Sequence, residues 1–142
     1  MNVVIVGLDD EFCATFSKTI ADFLQLEYIN FETYFDDGLL FLNDYPLEDA
    51  NTQFNQIEKE KLKELLNKNN IVISLNNSTF LSNQNYNLFN NHLTICVEKV
   101  EVDKILKNIQ KLIKNHCKIT INQEITNNKQ IKNLLSNYFA NK

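Results

Sequence analysis

The first residues that could do chemistry stand directly behind an apolar run. Residues 2–6 read as a buried strand, Gly7 follows, and helical spacing begins at Phe12. That order suits the phosphate-binding pattern G-x-x-x-x-G-K-[ST]. In it, backbone N–H groups wrap the phosphates, the lysine neutralises their charge and the hydroxyl holds Mg²⁺. Here the segment reads Gly7, Leu8, Asp9, Asp10, Glu11, Phe12, Cys13, Ala14 and Thr15. Gly7 matches the first glycine. Phe12 stands at the second glycine, Cys13 at the lysine and Ala14 at the Ser/Thr, with Thr15 one place later. Asp9, Asp10 and Glu11 bring negative charge to where phosphates would lie, which repels an anion by a few kcal/mol at ~4–6 Å and intermediate dielectric. Carboxylates also cap free N–H groups and complement the dipole at a helix N-terminus. The segment is read as a self-capped helix start, with an altered site for a cation as the alternative. No cofactor is expected there.

Other reactive side chains are weaker candidates. Cys13 at a helix N-terminus could be an activated thiol, but three carboxylates precede it and no His is near in sequence, so a buried, packing thiol is expected. His92, Cys96, His116 and Cys117 could cluster around a metal. His116 and Cys117 precede one strand while Cys96 lies late in another, which places them at opposite ends, and no metal is expected. Asp36, Asp37, Asp44 and Asp49 lack the EF-hand spacing and read as solvated turns. The apolar stretch Phe35, Leu39, Leu40, Phe41, Leu42 and Tyr45 either packs over a cleft or offers a partner surface.

The elements that must position these residues alternate along the chain. Strands are expected at 2–6, 27–31, 71–75, 93–97 and 118–121. Helices are expected at 12–24, 57–66, 81–89 with Ser82 as cap, 102–113 and 128–139, while Gly38 and Pro46 mark turns in a less regular stretch. The core sides are Phe12, Phe16, Ile20, Phe23 and Leu24 in the first helix, and Ile57, Leu62, Leu65 and Leu66 in the second, with a lysine/glutamate mix outward. In the helix at 102–113 they are Ile105, Leu106, Ile109, Leu112 and Ile113. Short, continuously apolar strands between helices point to an α/β fold, a parallel sheet covered on both faces. Ligands in such folds sit at the carboxyl ends of the strands, so residues 7–11, 30–32, 75–79, 98–101 and 122–124 are the ones to question.

Composition narrows the class. The 142 residues suit one domain spanning 1–142, and 44% hydrophobic with 23% charged residues is ordinary for a globular protein. The three cysteines, Cys13, Cys96 and Cys117, are widely spaced, which favours a reducing, cytoplasmic setting. No apolar run reaches the ~20 residues that span a bilayer, so no membrane is expected. The net charge of −4 and the lack of a basic tract argue against nucleic acid. Every basic side chain is a lysine; the chain has no Arg, the usual bidentate clamp for phosphate and carboxylate. Abundant Asn and Ile fit a compositionally biased genome, so no single Asn is read as functional on its type alone.

Collinear spacing through six segments resembles shikimate kinase, of the P-loop small-molecule kinases. After the loop and helix, Tyr28, Ile29, Asn30, Phe31 and Glu32 stand where the family reads (F/Y)-I-D-T-D. Asn30 stands at the Asp near Mg²⁺ and Glu32 at the Asp that holds substrate hydroxyls. Phe54, Asn55 and Glu58, then Leu62, Lys63, Glu64 and Leu65, follow F-R-x-x-E-x-x-x-L-K-E-L, with Asn55 at the arginine that binds the substrate carboxylate. Ser74, Leu75, Asn76, Asn77, Ser78 and Thr79 follow the strand where the family places V-I-x-x-G-G-G-A. A nucleoside or dephospho-coenzyme A kinase shares the layout. The resemblance implies a three-layer fold, strand order 2-3-1-4-5, and an ATP lid for which this chain leaves no room between the fourth and fifth strands.

With scaffold positions kept and functional positions changed, the expectation is a non-catalytic, bacterial-type pseudokinase. It would act through protein contacts, as a homodimer or with another protein. The rival is a small-molecule binder using Asn30, Glu32, Asn55, Asn76, Asn77 and Ser78 in the remodelled cleft. Residual ATP binding ranks last.

Overall fold

The computed structural model describes residues 1–39, 50–124 and 128–140. Its elements in chain order are β1 (Asn2–Gly7), α1 (Asp10–Leu24), β2 (Glu27–Asn30), α2 (Phe31–Leu39), α3 (Ala50–Leu66), β3 (Ile71–Asn76), α4 (Asn77–Leu81), a 3₁₀ segment (Ser82–Phe89), β4 (Leu93–Glu98), α5 (Lys104–Asn115), β5 (Ile119–Asn122) and α6 (Asn128–Ala140). The strands form one five-stranded sheet in the order β2-β3-β1-β4-β5, with every pairing parallel. This is the expected topology. β1 lies at the centre because Val3, Val4, Ile5 and Val6 are apolar without interruption, and it is buried along its whole length.

Alternation along β1 divides the core in two. Val3 and Ile5 face one side, where Phe16 and Ile20 of α1 and Ile131 and Leu135 of α6 cover the sheet. Val4 and Val6 face the other, covered by Phe31 and Phe35 of α2, Leu62 and Leu65 of α3, Phe80 of α4, Phe89 of the 3₁₀ segment and Ile113 of α5. β4 leads to α5 through residues 99–103, and α5 leads to β5 through residues 116–118. No lid segment stands between those strands. None of the helices among the described residues is long and apolar enough to cross a membrane.

Several expectations are corrected. Phe31 opens α2 instead of closing β2, because the Asn30 carboxamide accepts the Thr33 N–H at 3.1 Å and starts a helix. Gly38 lies inside α2, not in a turn. Ser82 is the C-cap of α4 and starts no helix; Asn76 starts α4 by accepting the Thr79 N–H, and Asn83 and Gln84 break the next stretch with φ of 51° and 57°. The buried face of α1 is Cys13, Phe16, Ser17, Ile20 and Ala21, leaving Phe23 exposed. On α5 only Gln110 and Ile113 are buried, with Ile109 partly so. Ile105 and Leu112, expected in the core, are 73% and 51% exposed. The buried face of α5 is thus turned toward Gln110, whose amide makes two bonds to the Lys99 backbone. Residues 40–49, with Asp44, Asp49, Pro46 and the apolar residues Leu40, Phe41, Leu42 and Tyr45, lie outside the described residues.

Candidate functional site

The loop after β1 is closed by its own side chains. Asp9 is the N-cap of α1: its Oδ1 accepts the Phe12 N–H at 3.0 Å and its Oδ2 accepts from Gln123 Nε2 at 2.9 Å. The Phe12 N–H holds the Asp9 carboxyl below the usual carboxylate range against partial burial, with help from Gln123 and the Lys99 charge. The neighbouring Asp10 moves the other way, because burial and then the Asp9 charge disfavour its ionised form. Asp10 and Glu11 sit in the first helical turn, where the dipole favours acids.

Cys13 points into the core. It is 1% exposed, and burial followed by the charges of Asp10 and Asp9 pushes its thiol up to about 12. A thiol in that state is not a nucleophile at neutral pH. A methyl group placed on Gly7 would stand 2.9 Å from its sulfur and 2.6 Å from the Val97 carbonyl oxygen. Gly7 is therefore required by close packing, and its φ is not positive. Phe12 stacks on Phe16, with ring centroids 6.2 Å apart, and Thr15 turns to the solvent side of α1.

The strand ends hold the rest of the cleft. Glu32 accepts the Asn76 N–H at 3.0 Å, tying α2 to the end of β3. Asn30 caps α2, and Asn76 caps α4 while also accepting from Ser78 Oγ at 2.8 Å. Two of the six expected ligand residues, Asn30 and Asn76, thus make bonds that start helices, and the Ser78 hydroxyl donates to one of these caps. Asn77 is the first residue of α4, and Asn55 is half-buried on α3. A cavity of about 210 Å³ is lined by Asp10, Asn30, Glu32, Ser74, Leu75 and Asn76. A second, of about 270 Å³, shares Glu32 and Asn76 with it and adds Phe31, Phe35, Phe54 and Glu58. Asn77 and Asn55 line neither.

Glu58 was expected on the outer face of its helix and is instead 5% exposed. It accepts from Asn85 Nδ2 at 3.2 Å and, weakly, from Thr79 Oγ1 at 3.4 Å. Burial raises its carboxyl above the ordinary range; the bonds from Thr79 and Asn85 work against this, and the charge of Glu32 adds to it. Its position between Phe54 and Leu62 on a helix period, and its match to the glutamate of F-R-x-x-E, were the available signals. Lys99 and Gln123, which act on Asp9 from just after β4 and β5, fall within the strand-end ranges 98–101 and 122–124, but no role was expected of either.

The cysteines also differ from expectation. The Cys96 and Cys117 thiols interact, and that interaction together with burial pushes the Cys117 thiol up. The residues meet because Cys117 turns under α5 into the same core cluster as Cys96. His116 goes elsewhere and stacks on Tyr86, with centroids 3.6 Å apart. Among the described residues no group of three or more His, Cys, Asp and Glu side chains is placed to hold a metal ion.

The model of the family described as shikimate kinase matches residues 13–140. The chain belongs to the shikimate kinase family. Solved structures agree on the fold. The shikimate kinase of Aquifex aeolicus is similar with a TM-score of 0.73 and 19% identity, over 99% of this chain and 98% of that one. The shikimate kinase of Acinetobacter baumannii, solved in complex with shikimate, gives 0.70 and 15%, over 99% and 94%. The shikimate kinase of Bacteroides thetaiotaomicron gives 0.67 and 17%, over 97% and 96%. No curated protein matches the chain significantly. Identities this low speak for the fold, and the activity of this family member must be argued from its own side chains.

Proposed function

We propose that this shikimate kinase family member does not transfer phosphate and acts through contacts with other proteins. The observation that carries the first half is the Asp9 carboxylate at the start of α1, bonded to the Phe12 N–H at 3.0 Å. A phosphate would need the helix N-terminus that this anion occupies. The inward Cys13 supports the same reading, since no lysine stands there to replace the lost charge. Phosphoryl transfer depends on positioning and charge stabilisation; neither of the two cavities that adjoin at Glu32 and Asn76 is lined by a basic residue, and the cavity beside Phe12 at the ends of β4 and β5 has Lys99 as its basic side chain. The second half is supported by Val100 before α5 and Ile105 and Leu112 along it, all exposed. A homodimer or a complex with another protein would cover them.

Incubation with γ-labelled Mg·ATP and shikimate tests the catalytic half: no labelled shikimate phosphate is expected, and turnover above a no-enzyme control would overturn it. Size measurement and affinity capture test the other half, and a strict monomer that captures nothing would count against it. A second reading, a small ligand held in the cleft, is favoured by the two cavities that adjoin at Glu32 and Asn76.

A further inference from the structure

The outward side of α5 carries two stripes. Lys104, Lys107, Lys111 and Lys114 recur at intervals of three and four residues and so share one side of the helix. Ile105 and Leu112 stand seven residues apart, about two turns, and share the side next to it. Asn108 and Asn115 fall between the stripes. Ile105 and Leu112 are more than half exposed, and so is Val100 just ahead of the helix. Lys104, Lys107 and Lys111 are exposed as well. α5 contains no acid, although the chain has a net charge of −4. Among the described residues the one ion pair of α5 joins Lys114 to Glu98 at 3.1 Å, and no acid is paired with Lys104, Lys107 or Lys111.

A groove of about 790 Å³ runs beside the lysine stripe. Val100 and Val102 line it from the preceding loop, and Lys107, Lys111 and Lys114 line it from the helix. Acids border it too: Glu98 holds Lys114, Asp103 accepts the Leu106 N–H at 2.9 Å, and Glu101 is exposed. In the chain the acids come before α5 and the free lysines along it.

Charge complementarity selects what covers this face. The occupant must bring carboxylates to Lys107 and Lys111 and apolar side chains to Ile105 and Leu112. A second copy of α5 brings lysines to lysines and no acid. A nucleic acid meets the lysines and leaves the aliphatic stripe uncovered. An anionic bilayer answers both stripes, but a flat surface leaves the groove unfilled and sets Glu101 and Asp103 against lipid phosphate. A helix of another protein fills a groove with its side chains and reads both stripes at once. We propose that α5 is the docking face for an acidic amphipathic helix of another protein, with carboxylates along Lys107 and Lys111 and aliphatic side chains over Ile105 and Leu112. This inference rests on the reading above that the chain acts through protein contacts, and it names the surface and the chemistry of the partner.

The test uses the full chain and three labelled helical peptides of ~18 residues, followed by fluorescence anisotropy. One is Glu/Leu with its leucines on one face, one is its Lys/Leu counterpart, and one is Glu/Gln without leucine. The Glu/Leu peptide is expected to bind saturably, at least about tenfold tighter than either of the others, and to weaken severalfold between ~0.05 and ~0.5 M salt. Lys107→Glu with Lys111→Glu is expected to weaken it about tenfold or more, and Leu112→Asp to a similar extent. These positions are exposed, so circular dichroism should report an unchanged fold. Lys129→Glu with Lys132→Glu alters the net charge equally on α6, which covers the opposite face of the sheet. That pair should leave binding within about twofold of the parent. Equal binding of the Lys/Leu peptide, or an equal loss in the α6 pair, overturns the charge assignment. Absence of saturable Glu/Leu binding overturns the proposal outright. Phosphatidylserine-containing vesicles, bound through α5 when the Glu/Leu peptide is not, would make a membrane the occupant instead. Affinity capture with the parent and the α5 variant side by side separates this surface from the broader reading. Equal capture by both keeps protein contacts and moves them off α5, whereas no capture by either, with no peptide bound, ends both.

Discussion

Replacing Gly7 with alanine separates a packed loop from a phosphate-binding one. The new methyl group would lie 2.6 Å from the Val97 carbonyl oxygen, 2.9 Å from Cys13 Sγ and 3.3 Å from Val97 Cβ. Gly7 is paired with Val97 in β4 and with Asn76 in β3, so the carbonyl cannot retreat without disturbing the sheet. Overpacking of this kind costs about 1–3 kcal/mol, and the upper half applies when backbone is struck. Loss of glycine freedom in the unfolded chain returns about 0.4–1 kcal/mol. The net expectation is a loss of about 2 kcal/mol. With a urea slope of about 1–3 kcal/mol per molar, the midpoint falls by roughly 1 M at unchanged slope. Cys13→Ala removes the sulfur contact but not the carbonyl contact. The double variant should therefore be less destabilised than the sum by roughly 0.5–1 kcal/mol, while remaining below Cys13→Ala alone. Urea unfolding followed by circular dichroism reads all four proteins. An unchanged midpoint for Gly7→Ala, or strict additivity in the cycle, would show that Cys13 and Val97 do not close over Gly7.

Asp9→Ala should cost about 1–2 kcal/mol through loss of the cap. Because the folded Asp9 titrates below its ordinary value of 3.8, its contribution is present above that pH and is lost as pH falls through the lower folded value. Urea midpoints of the variant and the parent should then converge in strong acid and stay apart at pH 7. Glu58→Gln works in the opposite direction. The folded Glu58 titrates above its ordinary value of 4.5, so the parent loses stability as pH rises from there through the folded value. The variant should be the more stable of the two at pH 7 and lose that advantage below pH 4.5, as thermal melts across pH would show. Ile105→Asp lies on the open side of α5 and should change stability by less than about 0.5 kcal/mol. The same change should weaken self-association or partner capture, and unaltered capture would place the contact surface elsewhere.

The sheet was legible because its strands are mostly apolar runs between helical stretches and because their order came with the family resemblance. The start of α1 was legible too, since a carboxylate before a helical period has one strong local use. The cleft was less so. Asn30 and Asn76 carry the side chain a ligand site would use, but a helix cap uses the same acceptor, and only the backbone N–H groups of Thr33 and Thr79 decide between the two. Glu58 looked like one more charge on a mixed lysine and glutamate helix. Its burial comes from α4 and the 3₁₀ segment, which bring Thr79 and Asn85 against it from far along the chain. Ile105 and Leu112 fit the period of a core face, yet α5 turns Gln110 inward to hold the Lys99 backbone, a bond pair that hydropathy does not register. Cys96 and Cys117 looked remote because strand order alone does not show that Cys117 folds under a helix.

The proposal that this chain does not bind phosphate at the loop after β1 is tested most directly by calorimetric titration of the purified chain with Mg·ATP, alone and with shikimate present. With Asp9 on the helix N-terminus and Cys13 buried, no heat is expected up to ~1 mM nucleotide, equivalent to binding weaker than about −4 kcal/mol. Saturable binding below that concentration would contradict the closed loop and return this family member to the nucleotide-dependent enzymes.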